Sequence, residues 1–281
     1  MRKPTRRGIA AIAVAAALSL AALGGAAFPA AASSATQTQA ENKAPAPAIK
    51  PTIVFVHGAF ADSSGWSLVA TGLQAKGYPV ISFSNPLRGP QYDGEYLRQF
   101  LSTISGPIVL VGHSYGGAVI SNGATGNPNV KSLVYIAAYA LAEGESVQAA
   151  NALGGGHTDV IDHLVLRPFP GATAGDADAY IDPAFFPQLF AQDIPKSVAQ
   201  SMAGSQRPGA LASLVVPSGP AAWETIPSWY MVAKNDRIIP PEAERAMAAR
   251  ANATTVEVNS SHVPMISQPL KVISLIVDAS K

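Results

Sequence analysis

Apolar and polar positions change period along this chain in a regular order. From residue 52 onwards, short uninterrupted apolar blocks rich in β-branched residues are each followed by a segment with apolar residues at helical spacing. Such blocks are typical of strands that a parallel sheet buries on both faces. The repeated order predicts an α/β fold with a mostly parallel, doubly wound sheet of about six strands. The predicted strands are TIVFVHG, PVISFSN, PIVLVGH, VKSLVYIAAYA, SWYMVAKND and TTVEVNS, and the predicted helices are GWSLVATGLQAKGY, YLRQFLSTIS, AVISNGAT, PEAERAMAARA and MISQPLKVISLIVDAS.

A long segment, about residues 140–225, interrupts this order between the fourth and fifth strands. It is rich in Gly, Pro and Asp and contains scattered aromatic residues. A stretch of this length without secondary structure is uncommon inside a compact domain. We therefore expect an inserted, mainly helical lid, with an unrelated surface excursion as the alternative.

The N-terminus has the plan of an export signal. A basic segment, MRKPTRR, precedes an apolar stretch that is shorter than the roughly 20 residues of a membrane span, and AFPAAAS offers a cleavage site after Ala32. We predict a signal peptide over 1–32, a flexible leader over 33–50 and an α/β domain over 51–281. The protein is then secreted or extracytoplasmic, without stable membrane association after cleavage. An uncleaved membrane anchor is the alternative, and the arginine pair fits a twin-arginine signal loosely.

Charge and cysteine content exclude several classes of function. Four of the 19 Lys and Arg residues precede residue 41 and none of the 18 Asp and Glu residues does, so the rest of the chain is slightly acidic. Binding to nucleic acid needs a basic face, which argues against such a partner. The chain has no cysteine, so disulfides, thiolate chemistry and Cys-ligated metals are excluded. We expect no metal or cofactor.

The segment LVGHSYGG contains a candidate nucleophile, Ser114. Its G-x-S-x-G pattern is weak by itself, because glycine and serine are common in this chain. The context is more specific, since a predicted strand precedes the motif and a predicted helix follows it. A sharp turn at the serine needs minimal side chains at Gly112 and Gly116. The helix N-terminus would direct free N–H groups at an oxyanion. An ordinary structural turn is the alternative.

A serine needs a base to activate it and an acid to orient the base. Of the five histidines, only His262 lies after the sixth strand, in a short loop at the carboxyl edge of the sheet. The others have local interpretations: a turn residue (His57), an elbow residue with its side chain directed away from the serine (His113), and solvated or locally bonded lid residues (His157 and His163).

Asp236 is the favoured acid because it directly follows the fifth strand. Glu143 and Glu145 are rivals near the end of the fourth strand, but they lie several residues beyond it. The alternative is that Asp236 is an acid at the N-terminus of the next helix, a role that Glu242 and Glu244 already fill.

Acyl transfer also needs two donors for the oxyanion. One is the backbone N–H of Tyr115, directly after the serine. The other is expected in the loop after the first strand, from Ala59 or alternatively Phe60, with Gly58 permitting close approach of the backbone.

Residues 52–280 resemble the α/β-hydrolase superfamily, most closely the compact branch of methyl esterases and hydroxynitrile lyases. Four segments carry the resemblance in family order: VFVHGAFADSSGW, VLVGHSYGG, KNDRIIPPE and SSHVPMISQP. It implies a catalytic triad of Ser114, Asp236 and His262, an oxyanion hole from Ala59 and Tyr115, and a helical cap over the substrate pocket. Four ordered motifs are specific for the fold and the triad but much less so for the substrate.

The sequence departs from the lyases of that branch at two positions. They carry a lysine directly after the triad histidine and a threonine after the first strand's histidine, where this chain has Val263 and Gly58. Valine cannot hold a cyanide anion, so the departure favours hydrolysis. We expect a secreted serine esterase for small or medium, partly apolar carboxylic esters, with a non-hydrolytic member of the fold (a ligand-binding receptor, a lyase or a cofactor-free perhydrolase) as the alternative.

Overall fold

The apolar blocks form a central six-stranded parallel sheet in the computed structural model, which describes residues 49–281. The signal peptide and nearly all of the leader predicted above lie outside these residues. The predicted sheet is confirmed, with strand order β2-β1-β3-β4-β8-β9 and every neighbouring pair parallel. Numbered along the chain, the strands are β1 (Thr52–Val56), β2 (Val80–Phe83), β3 (Ile108–Ser114), β4 (Val130–Ala138), β5 (Leu164–Arg167), β6 (Asp178–Ile181), β7 (Gly209–Ala210), β8 (Ser228–Ala233) and β9 (Thr254–Val258).

Helices cover the sheet because its central strands present apolar side chains on both faces. All seven residues of β3 are buried, as expected for a strand inside a parallel sheet. The first long helix packs against the last, and the second packs against the third. The helices are α1 (Ser67–Ala75), α2 (Pro90–Leu101), α3 (Tyr115–Gly123), α4 (Val147–Ala150), α5 (Phe186–Phe190), α6 (Lys196–Gly204), α7 (Pro241–Arg250), α8 (Pro264–Ser267) and α9 (Pro269–Ala279).

Proline sets two helix boundaries differently from the sequence prediction. α2 begins at Pro90, several residues before the predicted start, because proline fits the first helical position, where no N–H is needed. The single predicted closing helix is two helices, α8 and α9, with Pro269 as the first residue of α9. Proline disfavours helical geometry at the residue before it, and Gln268 accordingly leaves the helical region (φ −132°, ψ 44°).

The segment between β4 and β8 is ordered as a lid, but it is less helical than predicted. It holds α4, α5, α6 and several short 3₁₀ turns, together with a three-stranded antiparallel sheet in the order β5-β6-β7. This sheet was not predicted, because its strands have at most four residues and lie among Gly and Pro turns. Among the described residues, no helix is long and apolar enough to cross a membrane.

Candidate active site

Ser114 lies on a strained turn between β3 and α3. Its φ of 54° falls in the left-handed region, which L-residues rarely adopt. A Cβ at Gly112 would lie 2.7 Å from the Gly116 carbonyl oxygen, and one at Gly116 would collide with the Val56 carbonyl oxygen. Both flanking positions therefore require glycine, as the motif analysis proposed.

The structure brings Ser114, His262 and Asp236 together in one hydrogen-bonded chain. Ser114 Oγ lies 2.8 Å from His262 Nε2, and His262 Nδ1 lies 2.5 Å from Asp236 Oδ2. Since a carboxylate only accepts, Nδ1 carries the proton and Nε2 presents its lone pair to the serine hydroxyl. The side chains of His262 and Asp236 are fully buried, so water does not compete for these bonds.

Asp236 is held by the loop that follows β8. Its Oδ1 accepts hydrogen bonds from the backbone N–H groups of Ile238 (2.7 Å) and Ile239 (3.0 Å). These bonds leave Oδ2 free to face His262.

Residues from two other elements support His262, and neither supporting role was predicted from the sequence. His113 donates from Nε2 to the His262 carbonyl oxygen (2.7 Å), and Phe190 of α5 meets the His262 ring edge-on, with 4.8 Å between ring centroids. Burial lowers the pKa of His113 well below its ordinary value, so its ring is neutral. The lid also holds the adjacent loop, since Asp193 accepts a bond from the Ser261 N–H (2.9 Å).

Ala59 and Tyr115, the two predicted oxyanion donors, both line the cavity beside Ser114. Tyr115 is the first residue of α3, so its N–H has no acceptor within the helix. The Ala59 N–H makes no hydrogen bond among the described residues. The alternative donor, Phe60, is engaged elsewhere, because its N–H donates to the Arg207 carbonyl oxygen (2.8 Å). The geometry favours Ala59 over Phe60.

The Tyr115 side chain forms a hydrogen bond with α2. Its hydroxyl donates to Asp93 Oδ2 (2.6 Å), and Asp93 also accepts from the backbone N–H groups of Arg88 and Gly89. Burial raises the pKa of Asp93, and these hydrogen bonds oppose the rise.

The other histidines have the local roles that the sequence analysis expected. His57 is buried, with Nδ1 on the Gly58 carbonyl oxygen and Nε2 accepting from the Asn85 N–H, and burial lowers its pKa. The two lid histidines contact nearby lid residues, His157 pairing with Asp159 and His163 stacking on Phe185.

Neither rival acid takes the place of Asp236. Glu145 forms an ion pair with Arg250, and Glu143 is exposed. Glu242 and Glu244 lie in the first turn of α7, as predicted for acids at a helix N-terminus, but the Glu244 side chain is fully buried and near Asp236.

A cavity of about 340 Å³ opens beside the serine, between the sheet edge and the lid. Its wall is mostly apolar, and α4 with the segment after it contributes several polar side chains. The apolar lining includes Val160, Ile161, Leu164, Leu211, Leu214 and Val215, and the polar lining includes Gln148, Asn151, His157 and Thr158.

Comparisons with known proteins place the chain in a family. The family model described as "Alpha/beta hydrolase family" matches residues 53–275. The chain is 28% identical over 255 residues to the alpha/beta hydrolase nvfD of Aspergillus novofumigatus, a match that covers 83% of this chain and 97% of that one. It is 31% identical over 145 residues to a carbendazim hydrolyzing esterase of Nocardioides sp., covering 42% of this chain and 59% of the esterase.

Solved structures agree on the fold. The methylesterase MES16 of Arabidopsis superposes with a TM-score of 0.66 at 18% identity, covering 82% of this chain and 98% of that one. This neighbour is consistent with the predicted resemblance to the methyl esterase branch. With its family model spanning the sheet and the lid, the chain belongs to the α/β-hydrolase family.

Proposed function

We propose that the protein is an exported serine esterase that cleaves small or medium, partly apolar carboxylic esters through an acyl-enzyme. The observation that carries the proposal is the buried chain from Ser114 through His262 to Asp236, beside a mostly apolar cavity with two available N–H donors. Relatives named as hydrolases and esterases support the same reaction class.

The geometry supports a two-step reaction. His262 Nε2 takes the proton of Ser114 Oγ as the oxygen attacks the ester carbonyl carbon, and Asp236 stabilises the resulting imidazolium. The N–H groups of Ala59 and Tyr115 hold the oxyanion of the tetrahedral intermediate. Collapse breaks the bond to the alcohol, which leaves with the proton from His262. Water, activated by His262, then releases the acid and restores the serine.

The surroundings of His262 favour hydrolysis over cyanide chemistry. Val263, directly after His262, is buried and apolar, so it provides no charge for an anionic leaving group. At Gly58, a Cβ would lie 2.6 Å from Ser114 Cβ, so the position has no room for a larger residue in this arrangement.

The test combines Ser114→Ala with two readouts. We expect the wild type to hydrolyse a p-nitrophenyl ester series from acetyl to dodecanoyl, with an optimum at medium chains that fit the cavity. S114A should lose about 10⁴-fold or more of kcat, since the nucleophile is absent. A fluorophosphonate probe should label the wild type and not S114A. Equal turnover by S114A, or a wild type that reacts with neither ester nor probe, would refute the proposal. Products other than acid plus alcohol would indicate lyase or perhydrolase chemistry instead.

Export is tested separately. The basic and apolar N-terminal segments support cleavage after Ala32. The mature protein recovered from outside the cytoplasm should begin at residue 33, which N-terminal sequencing reads directly. A full-length chain retained in the membrane would indicate an uncleaved anchor.

A further inference from the structure

Glu244 is a buried carboxyl group that the mechanism above does not use. Its side chain lies in the first turn of α7 and is fully buried. Oε2 accepts one hydrogen bond, from the Ala233 N–H (3.1 Å), whereas no donor faces Oε1 among residues 49–281. A buried carboxylate with one donor and an unsatisfied oxygen is costly, so this group is unlike an ordinary ionised glutamate.

The groups that surround Glu244 do not supply the missing donor. Tyr230 of β8 and Tyr139, directly after β4, are near Glu244, but their hydroxyls donate to the Ala138 carbonyl oxygen and to Asn151, respectively. Arg245, the next residue of α7, points to solvent and pairs with Glu257. What remains is the Asp236 carboxyl, which is within hydrogen-bonding reach of Glu244. Two carboxyl groups can share such a bond only when one of them is protonated.

The two groups differ in how well they hold a negative charge. Asp236 accepts from the N–H groups of Ile238 and Ile239 and from His262 Nδ1, so three donors stabilise its ionised form. Glu244 has one donor. Neighbouring buried carboxylates do not both ionise readily, and the proton goes to the group with fewer donors. Burial and the nearby Asp236 charge raise the pKa of Glu244 well above its ordinary value, in agreement with this assignment.

We propose that Glu244 is an un-ionised carboxylic acid that donates a hydrogen bond from Oε1 to Asp236, and that it thereby positions Asp236 for His262. This role rests on the proposed function. Glu244 is a positioning residue, because it acts through Asp236 and does not touch the substrate. The single negative charge of the pair stays on Asp236, where it stabilises the imidazolium of His262.

Infrared spectroscopy tests the protonation directly. The wild type minus Glu244→Gln difference spectrum at neutral pH should contain the carbonyl stretch of an un-ionised carboxylic acid, which lies above the amide band. Glu242→Gln is the matched control, since Glu242 is two residues away and its side chain is 53% exposed. That control should lose only carboxylate bands. A carboxylate loss in the Glu244→Gln difference would overturn the proposal, whether the proton lies on Asp236 or on neither group.

Reaction of Ser114 with a fluorophosphonate tests the positioning role without knowledge of the substrate. E244Q keeps the neutral shape and an N–H donor, so its labelling rate should stay within about threefold of wild type. Glu244→Met removes the donor and should slow labelling by about tenfold, with ester KM unchanged and kcat lowered. Wild-type labelling by E244M, or an equal loss in E244Q and E244M, would overturn the role.

The pH profile and the wild-type control separate the remaining outcomes. Ionisation of Glu244 should produce a fall in wild-type kcat/KM at alkaline pH that E244Q lacks, and an identical fall in both would overturn the role. A wild type that is not labelled refutes the proposed function and the positioning role with it, while the infrared band still decides the protonation. If E244M does not fold, E244Q decides through its infrared spectrum and pH profile.

Discussion

His113 Nε2 donates a 2.7 Å hydrogen bond to the main-chain carbonyl of His262. His113, which directly precedes the candidate nucleophile Ser114, therefore anchors the loop that carries the base. The two rings also lie close, with 4.7 Å between their centroids. The strand that ends at Ser114 therefore fixes both partners of the proton transfer.

Replacing His113 by Phe should separate the effect of its hydrogen bond to the His262 carbonyl from the effect of its ring packing. Phenylalanine retains a ring but leaves the buried His262 carbonyl oxygen without its donor, which costs about 1–3 kcal/mol in the free energy of unfolding. We expect kcat for ester hydrolysis to fall about tenfold with little change in KM, because the base is displaced and the cavity is not. His163→Phe is the control, since the His163 imidazole stacks on Phe185 within the lid. Unchanged kcat in H113F would show that the bond does not position the base.

Gly58→Ala should lower esterase activity, because the new side chain would crowd Ser114 from the loop after β1. An added Cβ would lie 2.6 Å from Ser114 Cβ and 2.9 Å from the His113 carbonyl oxygen. Relief of this clash must move the serine or the oxyanion loop, so kcat/KM should fall by about 100-fold or more. Gly65→Ala, where an added Cβ meets nothing within 4 Å, should have nearly wild-type kinetics. Steady-state kinetics of the two variants decide the matter, and equal activity would contradict the proposed crowding.

Tyr115→Phe should affect stability more than catalysis. The change removes the hydroxyl that donates to buried Asp93 but keeps the backbone N–H that we propose as an oxyanion donor. We expect the free energy of unfolding, measured in urea, to fall by about 1–3 kcal/mol, and kcat to fall less than tenfold. Tyr92→Phe is the control, since Tyr92 precedes Asp93 in the chain and its side chain is exposed. It should change neither the stability nor kcat. A loss of kcat as large as in S114A would assign the hydroxyl a direct role that the structure does not give it.

The sequence predicted the sheet and the site because both follow from local pattern. Uninterrupted apolar runs identify strands buried in a parallel sheet, and such a sheet collects the residues after its strands at one edge. Ser114, Asp236 and His262 could therefore be grouped from their positions after three predicted strands, before any distance was known.

The features that the sequence missed depend on contacts between distant segments. Phe190 reaches His262 through the lid, whose short strands have no periodic signal. Glu244 has the pattern of a helix N-terminal acid, as Glu242 does, and only the tertiary packing distinguishes the buried residue from the exposed one. The choice between Ala59 and Phe60 depends on the hydrogen bond that the lid residue Arg207 accepts.

The burial of Glu244 also predicts a pH-dependent difference in stability. Burial raises the folded-state pKa of Glu244 well above its ordinary value of 4.5, so above about pH 4.5 the folded protein retains a proton that the unfolded chain releases. The contribution of Glu244 to wild-type stability should therefore fall as pH rises from this point towards the folded-state pKa. Glu244→Gln has no such proton, so its advantage over wild type should be small at about pH 4 and grow by up to about 1.4 kcal/mol per pH unit. Urea unfolding of both proteins at about pH 4, 5.5 and 7 measures this growth. Glu242→Gln should show a nearly constant difference from wild type, since Glu242 is exposed. Two outcomes would mean that Glu244 is ionised in the folded protein. The stability difference between Glu244→Gln and wild type could stay constant with pH, or wild type could become more stable relative to Glu244→Gln as pH rises.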